Sequence, residues 1–432
     1  MRSTTLIGLL LLPLMAGAAT LRVEGERAWL TADGTSLSKV LRLFEQRGVK
    51  VLIDPSLEMG RVTGDWENTK VERLVAQLAS PNSYLLEWNR IDSPLGTFDQ
   101  LSSIRIFSDG NAAATRPLSS KGKVLDVVTG TNGVQYIRGE IMVGFDEGST
   151  IKDLNALLKK LNGTVVEVID PPGIYRIRLN EGMNVEDAMT IAATHDGVKA
   201  AEPNLAFPVN RSESIPITGS GAGMNLNLLP GETAVAIFDS GLDSKYSDLN
   251  IIRGTYNAID PSAEMSDPSG HGTLVALIAS GAITPIGEDA SEIGVPVLAV
   301  RVFDENGMTS SDTIMRAIEY AVNSGIDIIN ISFGTYEDIG FLESAINYAA
   351  DQGIKIFVAS GNDGLAISAN PAASPATISV GANNPDGSVA VYSNTGSTVD
   401  SYEKGTVEYD GKQHRGTSFA SPYAARKAAL GL

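Results

Sequence analysis

The run Thr233-Ala234-Val235-Ala236-Ile237-Phe238-Asp239-Ser240-Gly241 is apolar up to a single carboxylate and closes on a turn of small residues. It reads as a short strand that delivers Asp239 at its carboxyl end, the end where functional groups collect in an open α/β sheet. Outward from it, Ser269-Gly270-His271-Gly272-Thr273 places His271 32 residues after Asp239 and runs into the apolar Leu274 to Ile278. That pattern predicts a loop entering a helix with His271 in its first turn. Ile326 to Ile331 and Lys355 to Ala359 are further apolar runs of strand length. The first leads to Ser332-Phe333-Gly334 and the second to Ser360-Gly361-Asn362-Asp363-Gly364. Gly416-Thr417-Ser418-Phe419-Ala420-Ser421-Pro422 opens another helix, with Ser418 at its start and a run to about Leu430.

Composition narrows the chemistry open to these segments. The 432 residues hold about three domains at roughly 150 residues each. There is no cysteine, which excludes a disulfide framework, thiol catalysis and cysteine-ligated metal. The histidines are His195, His271 and His414, so an all-histidine zinc site would need every one of them. Residues 225–432 carry 10 basic and 25 acidic side chains, against 23 and 26 in residues 1–224. The acidic half lacks the clustered Lys and Arg that a nucleic-acid backbone demands, which argues against nucleic acid as a partner.

Asp-Ser-Gly at 239–241, Gly-His-Gly-Thr at 270–273 and Gly-Thr-Ser-Phe-Ala-Ser-Pro at 416–422, in this order, resemble the three signature segments of the subtilisin-like serine proteases. Each segment alone is a weak signal. Val358 to Gly364 adds a fourth, resembling that family's oxyanion segment. The resemblance implies an α/β fold, with a doubly wound, mainly parallel sheet over residues 225–432. It also implies hydrolysis of peptide bonds in protein or peptide substrates, with no required cofactor. It makes Asp239, His271 and Ser418 the catalytic residues, with Asn362 and the Ser418 backbone N–H as oxyanion donors. The chemistry suits these residue types. Serine is a poor nucleophile until a base takes its proton, and an aspartate fixes the tautomer of that base. Ser332, Phe333 and Gly334 would bind extended substrate by strand pairing. Ala359, Ser360 and Gly361 would wall the first specificity pocket, with a floor near Ala369-Asn370-Pro371 and no charge expected there. A catalytically silent binding or signalling module that keeps this fold remains the alternative.

Two small α+β units are expected ahead of the catalytic region. In residues 132–208, Ile141 to Phe145, Val165 to Val168 and Ile174 to Leu179 read as strands, and Ile151 to Leu161 and Val185 to Ala193 as helices. Tyr136 to Phe145 and the ending Val198-Lys199-Ala200-Ala201-Glu202-Pro203-Asn204 resemble the propeptide of the same protease family. The chain would then carry its own propeptide as a partner, with autocleavage between about Phe207 and Gly219. A permanent regulatory domain is the other reading. Residues 20–107 place Leu37, Val40, Leu41 and Phe44, then Val71, Leu74, Val75 and Leu78, at helical spacing. With the strand Val49 to Ile53 and the Asp54-Pro55 turn, this part resembles the short N-terminal domain of secretins and TonB-dependent receptors. That likeness implies an envelope protein as a contact partner. Residues 108–131 read as a linker.

Residues 1–19 read as a signal peptide, with Arg2, the apolar Leu6 to Met15 and the small Ala16-Gly17-Ala18. About 14 apolar residues fall short of the ~20 that span a bilayer, so cleavage and export to the periplasm or the medium are expected. No other segment is long and apolar enough to span. Gly219 to Gly223 reads as a flexible linker, since no strand precedes it as a nucleotide loop requires. Asp304-Glu305-Asn306-Gly307 reads as a turn. The carboxylates permit calcium, although no loop has the ligand spacing of a known motif. Only 14 residues follow Ser418, so the cover that the family usually has on that side of the core is expected to be missing, or supplied by the first domain or by a partner. Leu274 and Tyr246-Ser247-Asp248-Leu249 stand where the family often has a second His and His-Pro-Asp-Leu.

Overall fold

The computed structural model describes residues 19–108, 110–118, 124–180, 182–208, 220–221, 224–229, 231–261, 263–290 and 294–432. The expected signal peptide, apart from Ala19, and most of the expected autocleavage segment lie outside the described residues. The chain divides into two compact units. The first takes residues 1–120, 148–167 and 177–183, and the second takes 121–147, 168–176 and 184–432.

The first unit holds a three-stranded antiparallel sheet of Ala19–Glu24, Arg27–Ser36 and Arg61–Lys70. A second sheet runs in the order Ser83–Ser93, Gly96–Phe107, Lys50–Ile53 and Arg116–Pro117. Helices Leu37–Glu45 and Val71–Ala79 follow the periodicity read from the sequence. Their buried residues, among them Val40, Leu41, Phe44, Leu74 and Val75, share one core with Leu21, Leu30 and Ile104. The Asp54-Pro55 turn is pinned through the Asp54 carboxylate, which accepts from Ser56, Ser108 and Asn111 and is held well below the usual carboxylate range by those bonds.

The second unit is built on a seven-stranded, all-parallel sheet. Strands β1 (Gln135–Phe145) and β2 (Val198–Pro208) with helix α1 (Val185–Ala193) precede it in sequence. The sheet itself holds β3 (Val235–Asp239), β4 (Ile252–Asn257), β5 (Val297–Arg301), β7 (Ile328–Ile331), β8 (Lys355–Ala359), β9 (Ile378–Asn383) and β10 (Ser401–Lys404). The short β6 (Met308–Ser310) lies outside it. The strand order is β4-β5-β3-β7-β8-β9-β10. The chain leaves β3 towards one edge and returns on its other side, so the switch point sits at β3, where crevices open in such sheets.

Alternation along β3 explains the two layers around the sheet. Successive side chains point to opposite faces, and both faces are covered by helices. Ala236 and Phe238 join a core with helices α3 (Ser311–Asn323) and α4 (Gly340–Asp351) through Ile314, Ile318, Leu342 and Ile346. Val235 and Ile237 join a second core with helices α2 (His271–Ser280) and α5 (Thr417–Ala429) through Leu274, Val275, Ile278 and Ala420. Every residue of α2 is buried, which its unbroken apolar run anticipates. Each such Leu, Ile, Val or Phe contributes about 1.5–3 kcal/mol on burial.

The strands before the sheet dock on the α3 and α4 side. Strand β2 pairs antiparallel with β1 and, through Ala206, Phe207 and Pro208, with β6. Met142, Leu205 and Phe207 belong to the same core as Phe333 and Ile314. Asn204, wholly buried, donates to Glu140 at 2.7 Å and to Asp312 at 2.8 Å. Arg176 donates to Glu140 at 3.1 Å, and Arg316 pairs with Asp312 at 2.9 Å. Arg176 also stands 3.4 Å from Asp312, so both buried carboxylates are met by guanidinium groups, as buried charge demands.

Candidate active site

Asp239 ends β3, His271 begins α2 and Ser418 lies in the first turn of α5. His271 Nδ1 meets Asp239 Oδ1 at 2.8 Å, with both side chains almost wholly buried. A carboxylate only accepts, so the proton sits on Nδ1 and the neutral ring leaves Nε2 as its acceptor. Burial pushes the imidazole down, but the charge and hydrogen bond of Asp239, with the charge of Asp267, hold it above its ordinary value. Asp239 Oδ1 also accepts from the Ser240 N–H at 2.7 Å. Its Oδ2 is buried and makes no hydrogen bond among the described residues.

Ser418 is set by the strand beside it. Its hydroxyl donates to the Ser332 carbonyl at 3.0 Å, and the Ser332 hydroxyl donates to the Ser418 carbonyl at 3.1 Å. The second bond follows from sequence. Pro422, inside α5, has no N–H to give the carbonyl four residues back. Asn330 donates to the Ser332 hydroxyl at 2.9 Å and accepts from Ser421 at 2.7 Å, which completes the support. The Ser418 hydroxyl thus points to the Ser332 carbonyl in this state. Phe419, the next residue, sets its ring 5.5 Å from the His271 ring.

Asn362 accepts at Oδ1 from the Thr417 N–H at 2.8 Å and from its hydroxyl at 3.0 Å. A backbone N–H can only donate, so these bonds fix which end of the amide faces α5. Nδ2 is then the free end, and it and the Ser418 N–H both lie within 4 Å of where a side chain on Gly416 would stand. The N-terminus of a helix adds partial positive charge at this point.

The remaining residues named from sequence divide. Phe333 turns its side chain into the core, edge-on to Phe303 at 4.9 Å. Gly334 is small because the neighbouring chain is close: a Cβ there would meet the Asn370 carbonyl at 2.8 Å and Ala369 Cβ at 3.0 Å. Thr335 and Asn370 pair through 2.8 Å and 2.7 Å backbone bonds, and Ala369 donates to the Ser360 carbonyl at 2.9 Å. Ala359 and Ser360 are buried and Gly361 is half-buried, beside Asn394, whose amide donates to the Ser360 carbonyl at 3.0 Å. Exposed Asp363 follows Asn362 and accepts from Tyr336 at 2.7 Å. His414 lies 6.3 Å from Phe419 ring to ring.

Asp267 was not legible as part of this site. Buried, it accepts from Ser240, Gly270 and Thr273 next to His271. An Asp ahead of an apolar run is a helix-start signal, and that was the only trace it left in the sequence. The Asp304 turn is structural. Its carboxylate is taken up by the N–H groups of Asn306, Met308 and Leu125, so it does not suit calcium. Among the described residues no cluster of three or more His, Asp or Glu side chains is arranged for a metal.

Comparison with known proteins finds relatives over most of the chain. Residues 231–432 match the subtilase family model, and residues 122–204 match the fervidolysin N-terminal prodomain. The thermophilic serine proteinase of Bacillus sp. strain AK1 is 29% identical over 74% of this chain and 84% of its own. The minor extracellular protease Epr of Bacillus subtilis is 30% identical over 62% of this chain, which spans 41% of that protein. The crystal structure of fervidolysin from Fervidobacterium pennivorans superposes with a TM-score of 0.53 at 20% identity, covering 72% of this chain and 57% of that one, and so shares the fold. The subtilisin of Bacillus pumilus is 33% identical over 45% of this chain and 75% of its own length. With three quarters of that enzyme covered at this identity, the chain belongs to the subtilase family of serine proteases.

Proposed function

We propose that the protein is an exported serine endopeptidase that cleaves peptide bonds through an acyl-enzyme on Ser418. In this reading the Ser418 hydroxyl turns from Ser332 towards His271 Nε2, which takes its proton as Oγ attacks the peptide carbonyl. Asp239 keeps the proton on Nδ1 and stabilises the imidazolium. The oxygen of the tetrahedral intermediate lies between the Ser418 N–H and Asn362 Nδ2. His271 then gives its proton to the leaving amine, and water repeats the sequence to free Ser418. The chemistry needs no cofactor, and calcium would have only a structural place.

The observation that carries this reading is that two arrangements meet the start of α5 on either side of Ser418, at Phe419 and at Thr417. One is the Asp239–His271 contact, and the other is an Asn362 amide aimed by Thr417. A fluorophosphonate probe tests it. Wild type should be labelled at Ser418 and should hydrolyse casein, and Ser418→Ala should do neither. Absence of labelling in the folded wild type would defeat the proposal.

The parts outside the catalytic region complete the reading. Residues 132–208 act as an intramolecular inhibitor and folding aid, supported by the prodomain match and by the β2–β6 pairing. Intact mass and N-terminal sequencing of exported wild type and Ser418→Ala test removal; identical full-length chains would exclude autoprocessing. Residues 20–107 form a contact module for an envelope protein, and residues 1–19 direct export to the periplasm or beyond. Among the described residues no helix is long and apolar enough to cross a membrane.

A further inference from the structure

We propose that Asp267 is a positioning residue for this hydrolysis: its carboxylate clamps the helix start that carries His271 to the loop that carries Asp239. The inference rests on the endopeptidase reading above and adds a residue to it.

Both oxygens of Asp267 are committed. Oδ1 accepts from the Gly270 N–H at 2.9 Å and the Ser240 hydroxyl at 2.7 Å. Oδ2 accepts from the Thr273 N–H and the Thr273 hydroxyl, both at 2.7 Å. Two of these donors flank His271 in sequence, and Ser240 follows Asp239. The Ser240 hydroxyl has a single proton and accepts from Ser269 at 2.6 Å and from the Gly272 N–H at 2.9 Å. Its proton therefore goes to Asp267 at 2.7 Å, since Asp239 Oδ1 lies farther off at 3.2 Å. Asp267 thus holds both segments at once, and an ordinary cap would hold only one.

A second observation shows how closely the segments must fit. A Cβ on Gly272 would meet the Gly241 carbonyl at 2.6 Å, the Gly241 N at 2.7 Å and the Ser240 N at 3.0 Å. The start of α2 therefore rests on the backbone of the Asp239 loop, with no side chain between them to adapt. A small shift at Asp267 passes directly into the Asp239–His271 distance. Displacement of about 1 Å in such a pair costs on the order of 100-fold in rate.

The charge of Asp267 also favours the imidazolium. The groups facing His271 are Asp239 from β3, Asp267 from the preceding loop, and Phe419 from α5, with His414 beyond Phe419. Asp239 and Asp267 are the two anions among them.

The test uses the full chain. Imidazole titration by NMR in a Ser418→Ala background, with and without Asp267→Asn, reads His271 independently of activity. Asp267→Asn should move that titration to lower pH. In the Ser418 enzyme it should slow fluorophosphonate labelling about 10- to 100-fold. Asp267→Ser, which keeps a short capping oxygen and drops the charge, gives the same readings if Asp267→Asn does not fold. A variant that unfolds more easily but titrates and labels like wild type would overturn the proposal. A wild type that takes no label at all would instead overturn the endopeptidase reading.

Discussion

Asn362 turns its carbonyl oxygen to Thr417, accepting from the backbone N–H at 2.8 Å and the hydroxyl at 3.0 Å, and so leaves its amide nitrogen facing away from that residue. Asn362→Ala should lower kcat by about 100- to 1000-fold with KM nearly unchanged, because the lost donor acts on the transition state. Steady-state kinetics on a peptide substrate decides it. A loss confined to KM would place Asn362 in substrate binding.

His271 must be neutral to accept a proton, and Asp239 and Asp267 hold its imidazole above the ordinary value against the opposing effect of burial. The acid limb of kcat/KM should therefore lie above about pH 6.5, the usual imidazole range. Activity is present above that limb and lost as the pH falls through it. Asp239→Asn should move the limb to lower pH and cost about 10,000-fold in kcat. A limb at or below the usual range in wild type would contradict the electrostatics described above.

Ser332 supplies the bond that Pro422 withholds from the Ser418 carbonyl. Ser332→Ala strands a buried carbonyl and should destabilise the Ser418→Ala background by about 1–3 kcal/mol in denaturant unfolding. Pro422→Ala restores an N–H four residues on. The double variant Ser332→Ala/Pro422→Ala should recover part of the loss. Simple additivity of the two changes would show that the carbonyl is not the shared partner.

Glu202 on β2 accepts with both oxygens from the Phe341 N–H at 3.0 Å. Burial pushes its carboxyl up to about 7; the Phe341 bond opposes this and the Asp338 charge adds to it. A raised carboxyl means the docked strand binds the proton more tightly than the freed strand. Its contribution is complete below the ordinary value of 4.5 and is lost as pH rises through about 7. Hydrogen exchange of the β2 amides in Ser418→Ala should be slower at pH 5 than at pH 8 after correction for intrinsic rates. Glu202→Gln should remove the difference, and a difference that survives this change has another source.

Much of the layout was legible in the linear sequence. Helices Ile151–Leu161 and Val185–Ala193 fall where their periodicity sets them, because each buries one face and starts on a capping Thr150 or Asn184. Strands Ala19–Glu24, Arg27–Ser36 and Arg61–Lys70 were not recognised. Their alternation includes half-buried polar residues such as Thr31 and Ser36, which blur a period of two.

By itself the sequence determined the order Asp239, His271, Asn362, Ser418 and the elements that carry them. Those are local facts of apolar runs, turns and helix starts. Only the tertiary structure decided that Phe333 faces inward, that Ser418 rests on Ser332, that Asp363 meets Tyr336, and that Asp267 binds two loops together. The reason is physical. A strand or helix is chosen by neighbours in the chain, whereas a hydroxyl or carboxylate is satisfied by whichever donor or acceptor the packed chain brings within about 3 Å.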